Sequence, residues 1–124
     1  MNQRTILLTA AFFGMSAVGL GAFGAHAFKN MLLSSGRMET YDLAVRYQFY
    51  HALALMIVGM MLEKFPALKT GALLFILGTI IFSGSLFTLA LSNQGMWGAV
   101  TPFGGALLIA GWLRLAWTFY TSHG

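Results

Sequence analysis

The stretch that decides the fold is TGALLFILGTIIFSGSLFTLAL, residues 70–91. It contains no charged residue, and each of its twelve Leu, Ile and Phe residues favours insertion into a bilayer by about 0.3 to 0.6 kcal/mol. Their combined contribution is about 5 kcal/mol, and the run is long enough to cross the hydrocarbon core as a helix. The sequence therefore predicts a transmembrane helix over 67–91, just after Pro66, which a first helical turn tolerates.

The composition of the whole chain agrees with a membrane environment. Of its 124 residues 58% are hydrophobic and 8% are charged, and the mean hydropathy is +0.76, whereas about 25% of residues are charged in soluble domains. The seven Lys and Arg residues are scattered, so the chain lacks the clustered basic face that nucleic acid requires. The absence of cysteine excludes disulfides, thiolate metal ligands and a cysteine nucleophile.

Three further apolar segments have the length of a membrane span. The predicted helices cover residues 5–28, 41–62 and 101–121. The first contains the 24 uncharged residues between Arg4 and Lys29, which make about 36 Å of helix. Arg4 and the Ala25-His26-Ala27 triplet also fit a cleaved secretory signal, but the apolar run is longer than the 7 to 15 residues typical of one. We therefore favour a retained helix.

These segments predict an integral membrane bundle of four α-helices. Backbone amides in hydrocarbon must be paired within their own segment, and the chain lacks the alternating pattern of a β-barrel. Short connectors imply antiparallel neighbours, and one domain accounts for residues 1–124. The segment 29–40 is predicted to be a loop, with Thr40 as the N-cap of the second helix.

Small residues recur at steps of three, four or seven along the predicted helices. This spacing places them on one face of each helix, in left-handed packing, where they let helix backbones approach closely. Chance spacing in glycine-rich helices remains an alternative. The predicted helix-packing positions are Gly14, Gly21, Gly24, Gly78, Ser85, Gly104 and Gly111.

Polar side chains near the predicted helix ends form the candidate site. Its members are His26, Arg46, Tyr47, Gln48 and His51. Tyr47 and His51 are four residues apart and therefore share a helix face. An antiparallel first pair of helices would bring His26 and His51 toward the same side of the bilayer. Two histidines suffice for bis-histidine haem, or could bind another metal or a quinone; the alternative is that they form interhelical or water hydrogen bonds.

Four motifs, taken in order, resemble those of a known family. They are GLGAFGAHAFK (19–29), YQFYHALAL (47–55), FSGSLF (82–87) and TPFGGALLIAGW (101–112). The chain resembles the domain of unknown function 423 family, the YgdD and YwdK type, which is similar to eukaryotic transmembrane protein 256. The resemblance implies a four-helix protein of the bacterial inner (plasma) membrane. It implies no catalytic residue, cofactor or reaction.

Three functions are compatible with these features. We favour a structural or accessory membrane protein, not an enzyme, that packs with itself or with a larger membrane complex. The alternatives are a binder of haem, metal or quinone through His26 and His51, and an oligomeric permeation pathway, for which polar lining residues are few. Cations are balanced between the two membrane faces, and Arg114 tips the prediction toward N- and C-termini inside.

Overall fold

The computed structural model describes residues 1–122 and is built from α-helices. They are α1 (Gln3–Ala25), α2 (Lys29–Ser35), α3 (Met38–Met61), α4 (Leu68–Ser92) and α5 (Thr101–Thr121), with a 3₁₀ turn at Gly95–Ala99 before α5. Four helices are long and apolar enough to cross a membrane: α1, α3, α4 and the segment containing α5. The all-helical membrane architecture predicted from the sequence is confirmed.

The connection between the first two spans differs from its predicted form. Residues 29–35 form the short helix α2, which places Leu32 in a fully buried position. Gly36 ends this helix with φ of 72°, a left-handed conformation that glycine adopts without strain. Helix α3 then begins at Met38 with Arg37 at its cap position, so Thr40 lies inside the helix and is not its N-cap.

Helices α3 and α4 occupy the middle of the bundle, with α1 packed on α3 and α5 packed on α4. Gly24 near the end of α1 lies against Tyr41 near the start of α3, whereas Gly59 near the end of α3 lies against Leu7. This pairing is antiparallel. The flanking helices keep large apolar side chains on their outer faces, such as Phe12 at 57% exposed, as a lipid-facing surface requires.

Buried apolar side chains form two clusters. The larger one joins α1, α3, α4 and α5 and contains Leu55 and Phe75, both fully buried. The smaller one lies beside α2 and contains Leu32, Tyr41 and Ala90. Leu32 therefore attaches α2 to the membrane helices through a cluster that includes the fully buried Tyr41.

Candidate functional site

The predicted polar residues separate into buried and exposed members. Gln48 and His51 are buried on α3, with 7% and 5% of their surface exposed. Tyr47 is partly buried, with its ring stacked on Phe82 of α4, and Arg46 is exposed. His26 is exposed at the C-terminal cap of α1. Only Gln48 and His51 therefore belong to the interior.

Both ring nitrogens of His51 are occupied by hydrogen bonds. Nδ1 lies 2.8 Å from the Tyr47 carbonyl oxygen, and because a carbonyl only accepts, Nδ1 must carry the proton. Nε2 is then the acceptor, and the indole N–H of Trp112 donates to it at 3.1 Å. These partners assign the neutral Nδ1–H tautomer and tie α3 to α5. The Nε2 lone pair, which a metal ion would need, already accepts the hydrogen bond from Trp112.

The structure does not bring His26 and His51 together. The contact between Gly24 and Tyr41 places His26 beside the beginning of α3, about 17 Å of helix from the level of His51 at 1.5 Å per residue. His51 is that deep because α3 begins at Met38. Across residues 1–122, no three His, Cys, Asp or Glu side chains are grouped to hold a metal ion. A shared haem, metal or quinone site on both histidines therefore has no geometric basis.

Gln48 links α3 to α1 in the middle of the bundle. Its Nε2 donates to the Phe13 carbonyl at 2.9 Å and to the Ser16 hydroxyl at 2.7 Å. Ser83 on α4 donates in the same way to the Ala44 carbonyl on α3 at 2.8 Å. Such interhelical bonds contribute on average about 0.6 kcal/mol each within a bilayer. The polar residues of the interior thus fix helix pairs in register.

The three predicted glycines of the α1/α3 contact, Gly14, Gly21 and Gly24, differ in how much space they leave for a side chain. A Cβ atom at Gly24 would lie 2.8 Å from Tyr41 Cδ1, far inside the normal contact distance. At Gly21 the nearest atom, Val45 Cγ1, would be 3.3 Å away, and at Gly14 all neighbours would be at ordinary contact distance. Gly24 is therefore the position in this set where a side chain is excluded most strongly.

The α4/α5 contact excludes side chains at two predicted glycines along its length. A Cβ at Gly78 would lie 2.8 Å from Leu108 Cδ2, and a Cβ at Gly111 would lie 2.6 Å from the Phe75 ring. Each close approach joins a glycine on one helix to a large side chain on the other. The two helices therefore interlock reciprocally.

The last two predicted helix-packing positions, Gly104 and Ser85, lie toward the loop between α4 and α5. A Cβ at Gly104 would overlap backbone atoms of Phe82. Ser85 is hydrogen bonded to Thr101, with 2.6 Å between the two hydroxyl oxygens. Close backbone approach and a hydrogen bond are thus combined at this end of the α4/α5 contact.

The sequence did not indicate Trp112 as a partner of the polar cluster. It lies 61 residues from His51, and an indole in an apolar helix reads as a lipid-facing or interfacial residue. We expect Trp112→Phe to lower the free energy of unfolding by about 1 kcal/mol, because His51 Nε2 loses its donor while the ring packing is kept. Denaturant titration in micelles measures this.

Trp117→Phe is the matched control for that measurement. Trp117 is on the same helix and 58% exposed, so its replacement should leave the unfolding free energy unchanged. Equal effects of the two substitutions would show that the bond between Trp112 and His51 contributes nothing to stability.

Comparison with known proteins gives consistent matches over most of the chain. A family model described as "Protein of unknown function (DUF423)" matches residues 20–105. A UPF0382 membrane protein of Staphylococcus haemolyticus is 44% identical over 115 residues, 91% of this chain and 93% of the relative. The UPF0382 inner membrane protein YgdD of Escherichia coli K12 is 36% identical over 114 residues, 90% of this chain and 86% of the relative. YwdK of Bacillus subtilis is 32% identical over 116 residues, with 91% and 94% covered.

No solved structure matches the chain. The relatives are named as membrane proteins, and the Escherichia coli protein as an inner membrane protein. Together with the four apolar helices, these names confirm the predicted location in the bacterial inner membrane. On the family-model match and on these identities, the chain belongs to the DUF423 family of membrane proteins, whose function is unknown.

Proposed function

We propose that the protein is a structural or accessory component of the inner membrane that associates with itself or with a larger membrane complex and has no catalytic role. The observation that carries this proposal is the composition of the outer face of α1. This face consists of residues spaced by three or four, which point in one direction on a helix. Its members are Leu8, Ala11, Met15, Gly19 and Ala22.

Three of these five residues are small although they face outward. Ala11 and Ala22 are exposed, and a Cβ placed at Gly19 would have no atom of another described helix within 4 Å. Contact with lipid tails needs no small residues, whereas helix association in a bilayer depends on them because they admit a second backbone. The outer face of α1 therefore suits a helix of another protein or of a second copy.

The arrangement of the interior supports the same proposal. Gln48, His51 and Ser83 bond across helices, so the polar side chains that a catalytic or conducting site would use hold the bundle together. A permeation pathway needs polar groups directed into a common channel. Here the Gln48 Nε2, Ser83 and His51 groups are directed into helix contacts, which favours a structural role.

Crosslinking in native membranes tests the proposal. The chain has no cysteine, so a single Gly19→Cys substitution carries a benzophenone maleimide without further engineering. We expect illumination to give one discrete product, identified by mass spectrometry as either a homodimer or an adduct with one membrane protein. Ile109→Cys is the control, since Ile109 is 63% exposed on the outer face of α5.

The same label at Ile109 should give lipid adducts and no discrete protein product. Equal patterns at both positions, or full labelling of Gly19→Cys without any protein adduct, would contradict association through α1.

A further inference from the structure

A groove of about 310 Å³ opens between α1 and α4. Its outer walls include Phe12 and Ile80, which are 57% and 55% exposed. Gln48 and Thr79, at 7% and 3% exposed, form its floor. The volume is at the lower end of the range for small-molecule pockets. The groove is thus lined almost wholly by apolar surface, with the polar side chains of Gln48 and Thr79 buried at its base.

The hydroxyl of Thr79 has no hydrogen-bond partner in residues 1–122 although the atom is fully buried. Other threonines of this chain avoid that situation: Thr9 and Thr88 donate to the carbonyl four residues earlier in their own helices. A buried hydroxyl without a partner costs free energy unless a ligand or water supplies one. Thr79 therefore offers a donor at the base of the groove.

Gln48 offers an acceptor at the same level. Its Nε2 is fixed by the Phe13 carbonyl, which leaves Oε1 without a donor in the part of the chain that the structure describes. The hydrogen bond from Ser83 to the Ala44 carbonyl sets the register of α3 and α4. Gln48 follows Ala44 by four residues, and Thr79 precedes Ser83 by four residues. Because α3 and α4 are antiparallel, both steps lead one helical turn toward the same face of the membrane, so Gln48 and Thr79 lie at the same depth. A free donor and a free acceptor thus share one site.

We propose that this groove binds a membrane-dissolved lipid whose polar end carries an uncharged hydroxyl group. The ligand's hydroxyl oxygen accepts from Thr79, its hydroxyl hydrogen is donated to Gln48 Oε1, and its tail leaves between α1 and α4. Both residues lie near the middle of helices that span the bilayer, about 15 Å from either phospholipid headgroup layer. Charged lipids do not reach that depth with their headgroups. Long-chain alcohols share the required chemistry, and so do quinols through one of their two hydroxyl groups.

Native mass spectrometry of the full chain released from micelles tests the proposal with two probes, farnesol and decylubiquinol. Each has a control that lacks the hydroxyl hydrogen, namely farnesyl methyl ether and decylubiquinone. We expect one bound molecule of farnesol, of decylubiquinol or of both, and binding of the matched controls at least about fivefold weaker, as for one lost hydrogen bond. Which probe binds distinguishes an alcohol from a quinol.

Thr79→Val removes the free donor and keeps the side-chain shape, so we expect it to weaken binding of the same probe by about fivefold or more. Thr79→Ser retains a hydroxyl and should bind as the original protein does, which separates loss of the donor from misfolding. The control is Thr118→Val, because Thr118 is also a buried threonine whose hydroxyl has no partner within the described chain, but it lies on α5. It should leave binding unchanged.

Three results would overturn the proposal. They are equal binding of a probe and its hydroxyl-free control, unchanged binding by Thr79→Val, and no binding of either probe to a folded protein. The last result would mean that the groove holds water or lipid tails only. None of these outcomes bears on crosslinking through the outer face of α1, so the two proposals fail independently.

Discussion

Replacing Gly104 by alanine will destabilise the protein by about 3 kcal/mol, at the upper end of the usual cost of overpacking. The added Cβ would lie 2.7 Å from Phe82 Cα and 2.9 Å from the carbonyl carbon of Ile81. These are backbone atoms in the interior of α4, so no side-chain rotation relieves the overlap. The helices must separate where Ser85 and Thr101 are bonded, and both backbone contact and hydrogen bond are weakened.

Gly105→Ala is the matched control for that substitution. A Cβ there would lie 3.7 Å from the Phe82 ring, an ordinary contact distance. Since alanine favours a helix over glycine by about 1 kcal/mol, this variant should be as stable as the original protein or slightly more so. Denaturant unfolding of both variants in the same micelles measures the difference. Similar stabilities of the two variants would refute the close approach of α5 to α4.

The transmembrane helices were predictable because bilayer thickness and the need to pair every backbone amide leave few alternatives for a long apolar run. Residues 70–91 and α4 agree closely for that reason. Helix α2 was not predictable in the same way. It is too short to show a hydrophobic period, and it is stabilised by burial of Leu32 against Tyr41, a contact that sequence spacing does not reveal.

The interior contacts also include some that the sequence predicted and some that it could not predict. Sequence spacing selected Gly78, Gly104 and Gly111 as packing residues, but it could not rank them, because a glycine beside a side chain and one beside a backbone look alike in sequence. The depth of His51 depends on where α3 begins, and its bond to Trp112 depends on how α3 and α5 are placed. The left-handed sense of the packing stays a prediction.

Tyr41→Ala will lower the free energy of unfolding by about 4 kcal/mol, within the range for truncating a fully buried aromatic residue. The Tyr41 side chain is fully buried, its ring packs edge-on against Phe28 and Phe87, and its hydroxyl donates to the Leu20 carbonyl. The substitution removes these contacts and leaves a cavity between α1, α2 and α4. Thermal and denaturant unfolding in micelles report the loss, and Tyr50→Ala, at a position 52% exposed, should have little effect.

A double-mutant cycle with Gly24→Ala identifies the cause of this effect. In the original protein, alanine at position 24 places a Cβ 2.8 Å from Tyr41 Cδ1, and the ring is enclosed too tightly to move away, so we expect a cost of about 2 kcal/mol. In the Tyr41→Ala background the new methyl group enters the vacated space, and the cost should disappear. The coupling of about 2 kcal/mol is typical of residues in direct contact. Additive effects of the two substitutions would show that the close contact with the Tyr41 ring is not what excludes a side chain at position 24.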